Sequence, residues 1–254
     1  MNDLTVIISA NNIDSHPEIN YIQEVIESLC LTGIDYNTRI ILSHDRINPS
    51  KENYNDCEVK YQQYFINLKN YCSALNFKNI DIIQSEEWGH LTRSLKNAVS
   101  KVDTEYMLIM QHDIHIRRAI PTYNLIDLMK KYPHIKHLRF NVRKNLPTFM
   151  GWDGWKKDGE FVFKEQEYDG IKVCLTPAWS DQNHLTTKEY YNNIIFPDCT
   201  TDGEIMYDFM ENKLNYLCHF NHERYGTYIY DAYNAPRTSR HSDGRNINSE
   251  KDED

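Results

Sequence analysis

Four short runs of branched apolar residues, each but the last followed by a stretch of helical spacing, constrain this chain more than any other feature. They are "LTVIISA" (4–10), "TRIILSHD" (38–45), "IDIIQSE" (80–86) and "EYMLIMQHD" (105–113). Continuous apolar runs, unlike alternating ones, belong to strands covered on both faces. Helical patterns at 20–33, 51–75 and 91–102 separate them; the first sets Tyr21, Ile22, Val25, Ile26 and Leu29 on one side and stops at Gly33. The order βαβαβαβ predicts an α/β fold with a doubly wound, mostly parallel sheet and right-handed crossovers. Ligands of such sheets sit beyond the carboxyl ends of the strands. The four ends here, Ser9-Ala10-Asn11, Ser43-His44-Asp45, Ser85-Glu86 and Gln111-His112-Asp113, are all polar. Their convergence marks the expected site.

The second half reads differently. A helix is expected over 121–132 and a strand over 135–143, followed by the Trp/Gly-rich stretch 149–163 and then mixed strands and short helices. No linker or repeat separates the halves, so the later elements are expected on the same sheet. A net charge of −9 argues against nucleic-acid binding, because nothing would supply counterion release. No apolar run is long enough to span a bilayer. Six cysteines without a Cys-x-x-Cys pair suit a reducing compartment, and "MNDLTVIISANN" lacks the basic region of a signal peptide. A cytoplasmic protein is expected.

The first 115 or so residues resemble the nucleotide-sugar-binding half of GT-A-fold glycosyltransferases. The matching pieces are "TVIISANN", the second strand ending in Asp45, and "GHLTRSLKNAVSKVDTEYMLIMQHD", which is similar to the family's Gly/Arg/Asn helix followed by a strand running into an Asp-x-Asp motif. The later segments "WSDQNHLTTKEYYNN" and "YGTYIYDAYNAPRTSRHSDGR" resemble small enzymes of this kind, including some encoded by large DNA viruses. The first acidic position of the motif is here Gln111, which shifts ligation toward Asp113 and a histidine. The resemblance implies a single GT-A-like domain: a nucleotide-sugar-binding half (1–118), an acceptor-binding and catalytic half (119–245), and an acidic tail (246–254). It implies a glycosyltransferase that moves a sugar from a UDP- or GDP-sugar to a glycan or other hydroxyl acceptor, metal-dependent and inverting. A non-catalytic sugar- or nucleotide-binding protein and a sugar-nucleotide nucleotidyltransferase are the alternatives. The latter normally opens with a Gly-rich loop after the first strand, and "SANNIDSHPE" has no glycine.

The chemistry gives these residues reasons. Breaking the bond from sugar C1 to a diphosphate builds charge on the phosphate while the sugar approaches an oxocarbenium ion. A divalent cation held by carboxylates is the usual answer. Asp113 is the expected metal ligand; His115, two residues on, faces the same side if the strand continues. The resemblance adds a histidine from the second half, for which His222 is preferred. An imidazole favours Mn²⁺ over Mg²⁺. Asp45 is expected on the base or ribose, Arg93 on a phosphate or on Asp113 itself, and Ser9, Ala10, Asn11, Gln111 and His112 along the nucleotide. "RHSDGR" (240–245) is expected to fold over the diphosphate, with Arg245 offsetting its charge. The base of an inverting reaction is expected from Glu204 or Asp202 at the start of a 202–213 helix, with Asp181 in "WSDQNH" as the third candidate.

Overall fold

A computed structural model describes residues 3–143, 145, 164–176, 178–201, 204–205, 213–215, 217–218 and 221–242. The predicted alternation is present: β1 (Leu4–Ala10), α1 (Asn20–Ser28), β2 (Arg39–His44), α2 (Tyr54–Ser73), β3 (Ile80–Gln84), α3 (His90–Ser100) and β4 (Tyr106–Gln111). A 3-10 turn extends α1 to Thr32, and Gly33, at φ 70°, closes it in the left-handed conformation that glycine adopts without strain. After β4 come β5 (Ile114–Ile116), α4 (Thr122–Lys131), β6 (His137–Arg139), β7 (Lys164–Tyr168), β8 (Ile171–Leu175) and β9 (His184–Thr187). A helical segment over 188–198, the two-residue strands β10 (Thr200–Thr201) and β11 (Glu204–Ile205), the short helix His222–Tyr225, β12 (Thr227–Tyr230) and β13 (Ser239–His241) complete the chain. The strand expected over 135–143 is thus only its central part, and the Trp/Gly-rich stretch 149–163 lies outside the described residues.

Nine strands form one sheet in the order β3-β2-β1-β4-β9-β6-β12-β8-β7. The first four are parallel throughout. β9 then enters antiparallel between β4 and β6, so β6 and the adjacent β12 run in the same direction as β1 and β4. One consequence matters for function. Residues just before β9 arrive at the carboxyl edge of β4, while residues just before β12 lie at the opposite, amino edge.

Every residue of β1 is buried. Leu4, Val6, Ile8 and Ala10 face a core shared with α1, α2 and α4, and Ile7 faces a second core built from α3 and the 188–198 segment. This two-sided burial is why the first strands read as unbroken apolar runs. No helix among the described residues is long and apolar enough to cross a membrane.

Each core also encloses a histidine bound in the same way. His44, at the end of β2, has its Nδ1 3.2 Å from the Leu42 carbonyl and its Nε2 3.0 Å from the Tyr64 hydroxyl. His184, at the start of β9, has its Nδ1 2.6 Å from the Gln182 carbonyl and its Nε2 2.9 Å from the Tyr191 hydroxyl. A carbonyl only accepts, so Nδ1 carries the proton and Nε2 receives the tyrosine's. Protonating either ring removes that acceptor inside a closed core. Burial accordingly holds both at about 4, against an ordinary 6.5. Because the folded values are depressed, the unfolded chain takes up protons first as pH falls, and stability is lost between pH 6.5 and 4. Each ring accounts for roughly 3 kcal/mol across that window. In an NMR titration neither imidazole should protonate above pH 5; a midpoint near 6.5 for either would show that its core is open to water.

Candidate functional site

The chain visits β1, β2 and β3 in one direction and then returns to place β4 on the other side of β1. The strand order therefore reverses between β1 and β4, and a crevice at their carboxyl ends is where a doubly wound sheet receives ligands. Three backbone bonds extend the parallel ladder just past the strand ends. Asp45 N–H donates to the Ala10 carbonyl (3.0 Å), Ser85 N–H to that of His44 (2.8 Å) and His112 N–H to that of Ser9 (2.9 Å). Ser9 and Ala10 are buried beneath this rim, and Asn11 is exposed on it.

β4 stops at Gln111, and His112 and Asp113 form a turn before β5. One fully buried amide fixes this turn. The Asn183 Oδ1 accepts from Gln111 N–H (3.0 Å), and its Nδ2 donates to the Ile114 carbonyl (2.8 Å). Asn183's own carbonyl accepts from Phe140 N–H at the end of β6 (2.7 Å). The Gln111 side chain, in the place of the family's first aspartate, donates to the Asp181 carbonyl (3.2 Å). This brings Asp181, in the approach to β9, to the carboxyl edge beside the turn.

Asp113 is 4% exposed. His241 stands opposite, its Nδ1 3.6 Å from Asp113 Oδ2. That nitrogen is buried and has no hydrogen-bond partner among the described residues. The histidine is delivered by a strap, residues 231–242, laid across the edge. Strand β13 pairs antiparallel with β5, matching His241 to Ile114 and Arg240 to His115, and Ser242 N–H donates to the Asp113 carbonyl (2.7 Å). Arg118 holds the other end, donating to Asp231 Oδ2 (2.7 Å), Thr238 Oγ1 (3.0 Å) and the Pro236 carbonyl (3.0 Å). Asn145 Nδ2 lies against the carbonyls of Tyr230, Asp231 and Ala232.

Asp45, expected on the base or ribose, has a role within the fold as well. Its buried carboxylate accepts from the backbone N–H groups of Arg46 (2.8 Å) and Gly89 (3.1 Å), and burial raises its pKa despite these bonds and another from His90. It clasps the loop between β3 and α3. Arg93, expected on a phosphate, donates to Glu87 Oε2 (2.7 Å) in that same loop.

Three expectations are corrected. His115 lies in β5, beyond the turn that carries Asp113, and does not continue β4; its Nδ1 faces the Ser242 hydroxyl (2.9 Å) and Glu24 (3.7 Å). His222 precedes β12 and so lies at the amino edge, where its Nε2 bonds the Thr227 carbonyl (2.9 Å). The second-half histidine that meets Asp113 is His241. Glu204 lies in β11, paired antiparallel with β10, and the rest of the expected 202–213 helix falls almost wholly outside the described residues. Asp202 and Arg245 lie outside the described residues. A cavity of about 440 Å³, bounded by Glu105, Tyr106, Lys130, Lys136, Glu189 and Asn193, is at the amino edge and contains none of the expected site residues.

No protein-family model matches the chain, and no curated protein matches it in sequence. Solved structures do match in fold. S. aureus TarS 1–349 superposes with a TM-score of 0.53 at 10% identity, covering 97% of this chain and 62% of that one. S. aureus TarS gives 0.52 at 11% identity, covering 94% and 36%. TarS 1–349 in complex with UDP gives 0.50 at 12% identity, covering 94% and 60%. The shared property is the fold. The chain spans less than two thirds of each of these structures.

The Asn183 clamp is open to direct test. Asn183→Asp keeps the shape but puts a carboxylate oxygen against the Ile114 carbonyl, losing a buried donor. Unfolding in urea at pH 7 should show a loss of about 2–4 kcal/mol; an unchanged midpoint would mean that the turn is held by other contacts.

Proposed function

We propose that this protein is a glycosyltransferase of the GT-A type, transferring a sugar from a UDP- or GDP-sugar to a hydroxyl acceptor. The observation that carries this reading is the buried Asp113 facing His241 at the point where the strand order reverses. Support comes from the likeness to S. aureus TarS, which has been solved with UDP. The glycine-free segment after β1 speaks against a nucleotidyltransferase.

The residues fit a divalent cation. Asp113 offers a hard oxygen and His241 an orphaned imidazole nitrogen, a mixed pair that suits Mn²⁺ better than Mg²⁺. Two protein ligands leave room for diphosphate oxygens. When bound, such an ion offsets the charge that grows on the leaving diphosphate. Asn183 and the strap hold the two ligands in place, and the backbone rim of β1 and β2 supports the nucleoside. Gln111 acts as a tether for Asp181 and not as a third ligand.

Inversion needs a base on the sugar face opposite the departing diphosphate. Of the three carboxylates considered for that task, Asp181 is the one that described contacts bring to the carboxyl edge, so it is the base in this reading. Glu204, in β11, is the second to test.

Two measurements decide between enzyme and bystander. UDP or GDP should raise the melting temperature only with Mn²⁺ present, and Asp113→Asn or His241→Ala should abolish the metal-dependent part. If no nucleotide stabilises the protein under any metal condition, the reading is wrong. Asp181→Asn should cut turnover by roughly 10²–10⁴-fold while leaving the nucleotide-induced shift intact. Normal turnover in that variant, or a product of retained anomeric configuration, would remove Asp181 from this role.

A further inference from the structure

We propose that the cavity at the amino edge of the sheet is a second ligand site, which takes a small monocarboxylate with an apolar body at the Lys136 ammonium. It does not rest on the glycosyltransferase reading, because the cavity lies the length of β4, about 17 Å, from the turn that carries Asp113. Lys136 stands just before β6, beside the end of the short helix His222–Tyr225. The last carbonyls of a helix lack partners within it. Lys136 Nζ donates to two of them, those of Glu223 and Arg224, each at 3.0 Å. An ammonium has three N–H groups, so one remains. Both bonds go to neutral carbonyls, and no carboxylate lies within ion-pair distance of Lys136 among the described residues. Lys136 is half-buried, and burial, followed by the nearby Arg224 guanidinium, lowers its pKa below the ordinary lysine value. A desolvated cation without an anion is costly, and a bound anion would relieve that cost.

The cavity supplies the rest of the site. Tyr106 pairs with Thr187 and His137 with Thr186, which sets the starts of β4 and β6 on either side of the end of β9. The space around these strand ends encloses about 440 Å³, within the range of small-molecule pockets. Lys130 adds a second ammonium to the lining, bonded to Asp3 (3.2 Å) and lying over the Tyr106 ring. Met129, Ile135 and Ile194 give it an apolar part. Glu105 and Glu189 are its other charged groups. Two lysines and two glutamates leave the lining without net charge. Such a lining accepts one negative charge at Lys136 and repels the second charge of a phosphate, so a monocarboxylate fits it best.

The test is NMR on the full chain, with phenylacetate as the probe, phenylacetamide as its uncharged counterpart and inorganic phosphate as the dianion. Phenylacetate should shift the methyl signals of Met129, Ile135 and Ile194. It should also raise the titration midpoint of Lys136, because a bound anion favours the charged form. Binding about tenfold tighter to the charged lysine appears as a rise of roughly one pH unit. Phenylacetamide should bind about tenfold more weakly and leave the midpoint where it is. Lys136→Gln should remove the preference for the carboxylate over the amide, and Lys130→Gln, which leaves the helix carbonyls bonded, should reduce it in part. Because the midpoint is read in the wild-type protein, a folding defect in Lys136→Gln leaves the decision to that measurement. Absent methyl shifts, an unmoved Lys136 midpoint, equal affinity for the amide, or tighter binding of phosphate overturns the proposal. None of these outcomes bears on nucleotide binding at the other edge of the sheet.

Discussion

Asn183 has no exposed surface, and both ends of its side chain are committed, one to the last N–H of β4 and the other to the first carbonyl of β5. Such an amide is held by the sheet and holds the turn in return. Because its own carbonyl also receives the N–H of Phe140, three strand ends meet at one residue. The carboxylate of Asp113, the tether through Gln111 to Asp181, and the pairing of β5 with the strap all depend on where that turn lies. An unpaired polar group in this place would cost more than the bonds return, so the arrangement is nearly all-or-none.

The same economy appears in the groups that look most reactive in the sequence. Asp45 and His44 stand next to each other at the end of β2, and both make bonds within the fold. The carboxylate secures a loop and the imidazole bridges a strand to a tyrosine on α2. The site is thus built in two layers: polar groups beneath the rim fix the backbone, and fewer groups above it are left to meet a ligand.

Much of the first half was legible in the sequence. Two-sided burial leaves an unbroken apolar run, and four such runs with helices between them admit few topologies. Gly33 and the polar strand ends were equally readable. What was not legible depends on direction and distance along the chain. His222 and His241 are alike as letters; the direction of β12 sends one to the amino edge, and the pairing of β13 with β5 brings the other to Asp113. Glu204 follows small polar residues and precedes apolar ones, a pattern that a helix start shares with a short antiparallel strand. Nothing in an asparagine before "HLTT" announces a clamp, because its partners are some 70 positions away.

The strap places fold and site on different clocks. The four parallel strands close through crossovers between neighbours in sequence, whereas Asp113 meets His241 only after the chain has run through all nine strands of the sheet and returned. Contacts between residues so far apart form late, since the intervening chain must be ordered first. The strap also bonds the far strands of the sheet, with Asp231 N–H donating to the Lys172 carbonyl of β8 and Tyr233 N–H to the Glu165 carboxylate of β7. A cut in the strap between 231 and 238 would therefore leave His241 held at Asp113 through β13 alone, by its pairing with β5 and the bonds to Asn141.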